Sequence, residues 1–197
     1  MDSHDDTARW DRLSMLLRPI HHQAVATARR LSRSMHDGDD LYQEAVLRAH
    51  GKLGGLRDES RFRSWFFAVL LSVHRSRVRR PRRDSVSLEE TLETRDEPIG
   101  EDGTVWDEER RRAERAARAL ANLDAEQREA VVLHEIEGFS VEEIAEMQGV
   151  TSSAVKSRLA RGREKLRRFY LRFTTAPRIE TPTAGTMAWP TKERSHE

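Results

Sequence analysis

The chain has 197 residues, with 35 Lys and Arg against 34 Asp and Glu, a formal net charge of +1, and 6% aromatic residues. That length holds one ordinary domain or two small ones, and the charged, aromatic-poor composition favours helices over sheets. The absence of cysteine excludes disulfides and thiolate metal sites, and no apolar run approaches the roughly 20 residues that cross a bilayer, so no membrane insertion is expected.

The N-terminus, MDSHDDTARW, has no signal-peptide pattern, which makes the cytoplasm the expected location. Apolar residues recur at helical spacing over 13–31, 41–53 and 62–78. In the second of these, Leu41, Ala45, Ala49 and Leu53 are spaced by four and form one buried stripe. Asp40, Gln43, Glu44 and Leu47 then lie beside or opposite it as a small acidic surface. Asp37, Asp39 and Asp40 also suit a helix N-terminus, where negative charge meets the helix dipole. The third segment carries Trp65, Phe66 and Phe67 among and before arginines, a combination suited to unstacked bases and phosphates, although at least two of these aromatics are expected to be core.

Charge is strongly segregated beyond that point. Residues 61–83 hold eight arginines and no acid, whereas residues 84–109 hold eleven acids and one arginine, Arg95. With Pro98, Gly100 and Gly103 and no apolar stripe, the acidic stretch reads as a flexible linker between two small domains. Helical spacing resumes over 113–123 and 126–136, and residues 174–197, with three prolines and scattered threonines, read as a disordered tail.

The stretch 139–168, FSVEEIAEMQGVTSSAVKSRLARGREKLRR, carries the strongest local signal. Ser140 and Glu143 form a capping-box pair that starts a helix near Val141, with Ile144 and Ala145 continuing its buried stripe. Gly149 falls where the chain must turn, with positive φ expected, and Thr151 or Ser152 caps the next helix. Val155 and Leu159 pack inward, leaving Ser152, Ser153, Lys156, Ser157 and Arg161 on the outer face. Eight basic residues (Lys156, Arg158, Arg161, Arg163, Lys165, Arg167, Arg168 and Arg172) stand against one acid, Glu164. This is the layout of a DNA-reading helix-turn-helix, with phosphate as counter-charge.

Taken together, DGDDLYQEAVLRAH, the arginine and aromatic segment from Glu59 to Arg80 and LANLDAEQREAVVLHEIEGFSVEEIAEMQGVTSSAVKSRLARGREKLR resemble, in order, regions 2.1–2.2, 2.3–2.4 and 4 of the extracytoplasmic-function (ECF) group of the sigma-70 family. The resemblance implies an all-α protein with a region 2 bundle over 1–83, an acidic linker over 84–109, a region 4 helix-turn-helix domain over 110–173 and a tail over 174–197. It implies docking of Asp40, Leu41, Gln43 and Glu44 on the beta-prime clamp of RNA polymerase core, with the beta subunit as a further contact. It implies minus-10 recognition and strand opening by Arg61, Phe62, Arg63, Trp65, Ser72, Arg75, Arg79 and Arg80, with Arg77 a further phosphate candidate. It implies minus-35 recognition by Ser152, Ser153, Lys156, Ser157, Arg158, Arg161 and Arg163, and an anti-sigma factor as partner. Ser72 stands where the family usually has asparagine, and Ala68 and Ser76 replace commoner polar or charged residues.

Two other readings compete. A helix-turn-helix regulator that binds duplex DNA without acting as a sigma factor leaves Asp40 to Glu44 and the arginine and aromatic helix unexplained. A protein that only occupies a sigma-binding surface needs no DNA face. An enzyme is not expected, since no Gly-x-Gly-x-x-Gly, phosphate-loop or His-Glu-x-x-His pattern occurs. No cofactor is expected either. The candidates for metal ligands, His134 with Glu135 and Glu137, or His21 with His22, point apart on a helix, so no metal is expected.

Overall fold

The computed structural model describes residues 3–32, 34–79 and 105–174. Among them are eight α-helices and no strand: α1 (Ser3–Leu17), α2 (His21–Leu31), α3 (Met35–Lys52), α4 (Phe62–Arg79), α5 (Val105–Ala121), α6 (Ala125–Val131), α7 (Val141–Gln148) and α8 (Ser152–Thr174). The expected tail beyond residue 174, and residues 84–104 of the expected linker, lie outside the described residues. The last five linker residues, 105–109, are already helical as the first turns of α5.

The predicted helix over 13–31 is divided. Pro19 lacks an amide hydrogen and crowds the preceding turn, so a 3-10 turn at Arg18–Ile20 separates α1 from α2. α3 starts earlier than its apolar stripe, at Met35, where Ser34 Oγ accepts from the Asp37 amide at 3.1 Å. Asp37 therefore lies in the first turn, while Asp39 turns aside to Arg29 at 2.7 Å, an ion pair that holds its carboxyl below the usual range.

The stripe of α3 is buried as the spacing predicts, and its small residues let α2 come close. A Cβ on Gly38 would sit 2.5 Å from the Arg29 Cα, so only glycine permits this approach. α4 closes the bundle with Phe62, Phe66, Phe67, Leu70 and Leu71, all buried.

In the C-terminal half, the helix read over 126–136 begins at Ala125 but widens into a π stretch, Val132–Ile136, with the Glu137 amide bonded to Val132 O five residues back. Gly138, at φ 73°, ends it. α7 then begins on the complete Ser140–Glu143 capping box and ends at Gly149, φ 64° and ψ 39°, the left-handed conformation expected there. Thr151 supplies the next cap, its Oγ1 accepting from the Ala154 amide at 3.2 Å. Val155 and Leu159 are buried against α6 and α7, which fixes the rotation of α8 and hence the side chains it exposes.

The two halves share one hydrophobic core. Phe67 of α4 packs edge-on against Phe139, with ring centroids 5.2 Å apart, and both rings are buried.

Candidate nucleic-acid interface

Helix α8 presents Ser153, Lys156, Ser157 and Arg161 to solvent, and Ser152 half so. The Arg161 guanidinium reaches back to Ser157 Oγ at 2.9 Å, and neither Lys156 nor Arg161 has a carboxylate partner among the described residues. These are the side chains free to meet a groove.

The tally of eight basic residues overstates what this helix offers to phosphate. Arg158 turns inward to Gln148 Oε1 at 2.6 Å and Glu126 at 2.8 Å, with its side chain 16% exposed, so it ties the helix-turn-helix together and cannot read DNA in this geometry. Arg163 pairs with Glu135 at 2.7 Å and Lys165 with Asp124 at 2.9 Å. Arg167 and Arg168 both bond Glu164 and hold its carboxyl down to about 2. Spacing along one helix could not show these partners, because Glu126, Glu135 and Asp124 come from other elements.

α4 distributes its residues differently from the sequence expectation. Phe62 is 4% exposed and belongs to the core, so it is corrected from a base-contacting residue to a packing residue. Trp65 is half-buried against Phe62, while Phe66 and Phe67 are wholly core. Ser72 and Arg79 are exposed, and Arg80 lies outside the described residues. Arg77, half-exposed, donates to Glu44 at 2.8 Å and to Asp40 O at 3.0 Å within its own half.

Arg61, Arg63 and Arg75 all face the C-terminal half. Arg75 donates to Gln148 O and Met147 O, each at 2.9 Å. Arg63 donates to Glu137 O at 2.5 Å with its guanidinium 4.0 Å from the centre of the Phe139 ring. Arg61 lies 3.7 Å from Glu146.

On α3, Leu41 is 1% exposed and anchors the helix, which corrects its assignment to a docking surface. Gln43 is exposed, Asp40 and Glu44 are half-exposed, and Leu47 stands out beside them. Glu44 is held by Arg48 at 3.1 Å and Arg77 at 2.8 Å, so it is oriented by its neighbours.

Sequence reasoning missed the buried polar residues between the halves. Glu129 is 2% exposed and takes His74 Nδ1 at 2.9 Å and Gln148 Nε2 at 3.2 Å. Glu137 is also buried, accepting from the Thr27 hydroxyl at 2.5 Å with Arg30 at 3.5 Å. His134 Nδ1 lies 2.9 Å from Phe139 O. The one available signal was position: Glu129 directly precedes the apolar run AVVL, where a carboxylate has little room for solvent, whereas Glu137 had no such signal.

These features define a two-part all-helical protein whose C-terminal part is a capped helix-turn-helix with an open polar face. Comparison with known proteins agrees with that class. Residues 16–84 match the family model "Sigma-70 region 2" and residues 113–166 match "Sigma-70, region 4". The chain is 33% identical over 154 residues to the ECF RNA polymerase sigma factor SigM of Mycobacterium tuberculosis, covering 78% of this chain and 74% of SigM. It is also 33% identical over 169 residues to the ECF sigma factor SigE of Mycolicibacterium smegmatis, covering 84% of this chain and 64% of SigE. The chain belongs to the ECF group of the sigma-70 family of RNA polymerase sigma factors. Among solved structures, the sigma factor RpoE in complex with the anti-sigma factor NepR from Bartonella quintana shares the fold, with a TM-score of 0.61 and 24% identity over 79% of this chain and 94% of that one. CnrH in complex with the cytosolic domain of CnrY gives 0.60 and 25% over 86% of this chain and 94% of that one.

Proposed function

We propose that this chain joins RNA polymerase core and directs promoter-specific initiation, reading a minus-35 element with the open face of α8 and a minus-10 element with α4. The observation that carries the reading is the capped helix-turn-helix exposing Ser153, Lys156, Ser157 and Arg161, in a chain whose other half matches the second sigma region. A helix held by a rigid turn, with short polar and cationic side chains near its start, suits the major groove.

Core docking falls to the α3 surface of Asp40, Gln43 and Glu44 with Leu47 among them. Strand opening falls to α4 and the residues at its start, where Trp65, Ser72 and Arg79 supply stacking and phosphate contacts together with Arg61, Arg63 and Arg75; Arg80, outside the described residues, remains a candidate from the sequence alone. Each extruded base costs a few kcal/mol, and stacking with cationic contacts returns about 1–3 kcal/mol per base. The chain needs no catalytic group for this and acts as a non-enzymatic regulator. An anti-sigma factor is a further partner, as RpoE has in its complex with NepR. No helix of the described residues is long and apolar enough to cross a membrane. A partner of RNA polymerase core would work where the polymerase does, in the cytoplasm.

The test is transcription in vitro with sigma-free bacterial core polymerase on fragmented genomic DNA, sequencing the transcript starts. New starts sharing two upstream elements are expected. Duplex binding without any initiation would instead make the chain an ordinary helix-turn-helix regulator.

A further inference from the structure

The arginines in the last turn of α4 take different directions. Arg79 is exposed and reaches back to the Arg75 carbonyl of its own helix at 3.4 Å. Arg77 crosses instead to α3, where its Nε donates to Glu44 Oε2 at 2.8 Å, its Nη2 to Asp40 O at 3.0 Å and its Nη1 to Asp37 O at 3.4 Å. These acceptors recur every three or four residues and so share one face of α3. A carbonyl inside a helix keeps a second lone pair after accepting its intrahelical bond, so Asp37 and Asp40 can receive the guanidinium without loosening the helix. Only a planar fork of several donors spans such a set, which the point charge of a lysine does not.

The second carboxylate oxygen of Glu44 accepts from Arg48 Nη2 at 3.1 Å. Both oxygens are therefore fixed, yet the Glu44 side chain remains 37% exposed. Asp40 is half-exposed beside it, and Leu47 stands out one turn further along. A carboxylate held in one place and still open to a partner is a prepared contact. A mobile surface glutamate is not.

We propose that Arg77 is a positioning residue for polymerase docking, fixing the Glu44 carboxylate and the Asp40 turn of α3 in the arrangement that core polymerase meets. This rests on the assignment of the α3 surface to core docking. A free glutamate carries rotamer freedom that docking has to remove, and ordering it in the free protein moves that loss from association to folding. The same arrangement works against simple charge attraction, because Arg77 and Arg48 place two cations beside an acidic surface that suits a basic partner. The two effects have opposite signs. Loss of Arg77 strengthens docking if net charge governs and weakens it if positioning governs.

The test is binding of the full-length protein to immobilised core polymerase by biolayer interferometry at fixed salt, for wild type, Arg77→Ala, Arg77→Lys, Glu44→Ala and the double variant Arg77→Ala with Glu44→Ala. Arg77→Ala is expected to weaken binding about three- to tenfold, the range for one side chain set free, although it leaves the surface more acidic. In the Glu44→Ala background the same replacement should alter affinity by no more than about twofold, since the group it positions is gone. Arg77→Lys, which keeps a cation for Glu44 without the fork, should fall between wild type and Arg77→Ala. Unchanged or tighter binding by Arg77→Ala overturns the role. So does an equal loss in both backgrounds, which would mean a general loosening of the bundle. Thermal unfolding of each variant is followed alongside. Should Arg77→Ala fail to fold, Arg77→Met keeps the apolar stem and carries the same expectation. Absence of core binding by the wild type overturns the docking assignment and this role with it, whereas wild-type binding with additive variants overturns the role alone.

Discussion

Glu129 Oε1 lies 2.9 Å from His74 Nδ1, joining residues 55 positions apart in the chain, and both side chains are almost wholly buried. An ionised carboxylate can only accept, so Nδ1 carries the proton of this bond. The second oxygen of Glu129 takes Gln148 and approaches Arg75, so one buried acid is fastened to both halves of the protein. Buried charge persists only where partners of this kind are provided.

Replacement of Glu129 by alanine leaves Gln148 and His74 without their acceptor, and a loss of about 1–3 kcal/mol in urea unfolding is expected. A double-mutant cycle with His74→Ala should return a coupling of about 0.5–3 kcal/mol. A coupling indistinguishable from zero would mean that the halves do not meet at this point in solution.

Two glycines of α3 should respond in opposite directions to alanine. Gly38→Ala drives a Cβ to 2.5 Å from the Arg29 backbone and must separate α2 from α3, lowering stability by about 1–3 kcal/mol. Gly51 has nothing within 4 Å of its would-be Cβ, so Gly51→Ala should raise stability by about 0.5–1 kcal/mol through helix propensity. Thermal unfolding of the two variants checks both signs.

Arg158 and Arg161 differ by three positions and should fail in different ways. Arg161→Ala removes an exposed donor and is expected to weaken minus-35-dependent binding by about 1–3 kcal/mol with unchanged unfolding. Arg158→Ala removes the tie to Gln148 and Glu126 and is expected to destabilise the fold while leaving base preference intact. Promoter footprints alongside circular dichroism separate the two.

The Glu143 carboxyl is held below its ordinary value, first by the Ser140 backbone amide and then by the Ser140 hydroxyl, with Arg63 and Arg61 adding attraction. Because the folded value is the lower one, its stabilising contribution is complete above the unfolded value near 4.5 and is lost as pH falls through the folded value. Glu143→Gln should therefore flatten the acid limb of the stability curve below about pH 5 and lower stability at neutral pH by up to about 1 kcal/mol, a fraction of a full cap. An NMR titration of the Glu143 carboxyl in the wild type, ending near an ordinary glutamate value, would contradict the cap geometry.

Much of this protein could be read from local pattern. The buried stripe Leu41, Ala45, Ala49 and Leu53, the capping box, the left-handed Gly149 and the outer face of α8 all follow from relations within about one or two helical turns. Side chains that close over such short distances leave a periodic trace. The division of the 13–31 segment at Pro19 was legible in principle from the missing amide, but apolar spacing masked it. The site was less legible wherever a partner comes from another element. Arg158, Arg163 and Lys165 looked like phosphate ligands until Glu126, Glu135 and Asp124 were placed beside them, and Leu41 and Phe62 looked like contact residues until the bundle closed over them.

The sequence by itself determined the helices, their caps and turn, the segregation of charge and the family, because each depends on residues near one another in the chain or on a linear motif. Only the tertiary structure decided which arginines remain free. Whether a guanidinium faces water or a carboxylate depends on how separate helices approach, and that approach is set by the packing of Phe67 on Phe139 and by the burial of Glu129 and Glu137 between two halves far apart in sequence.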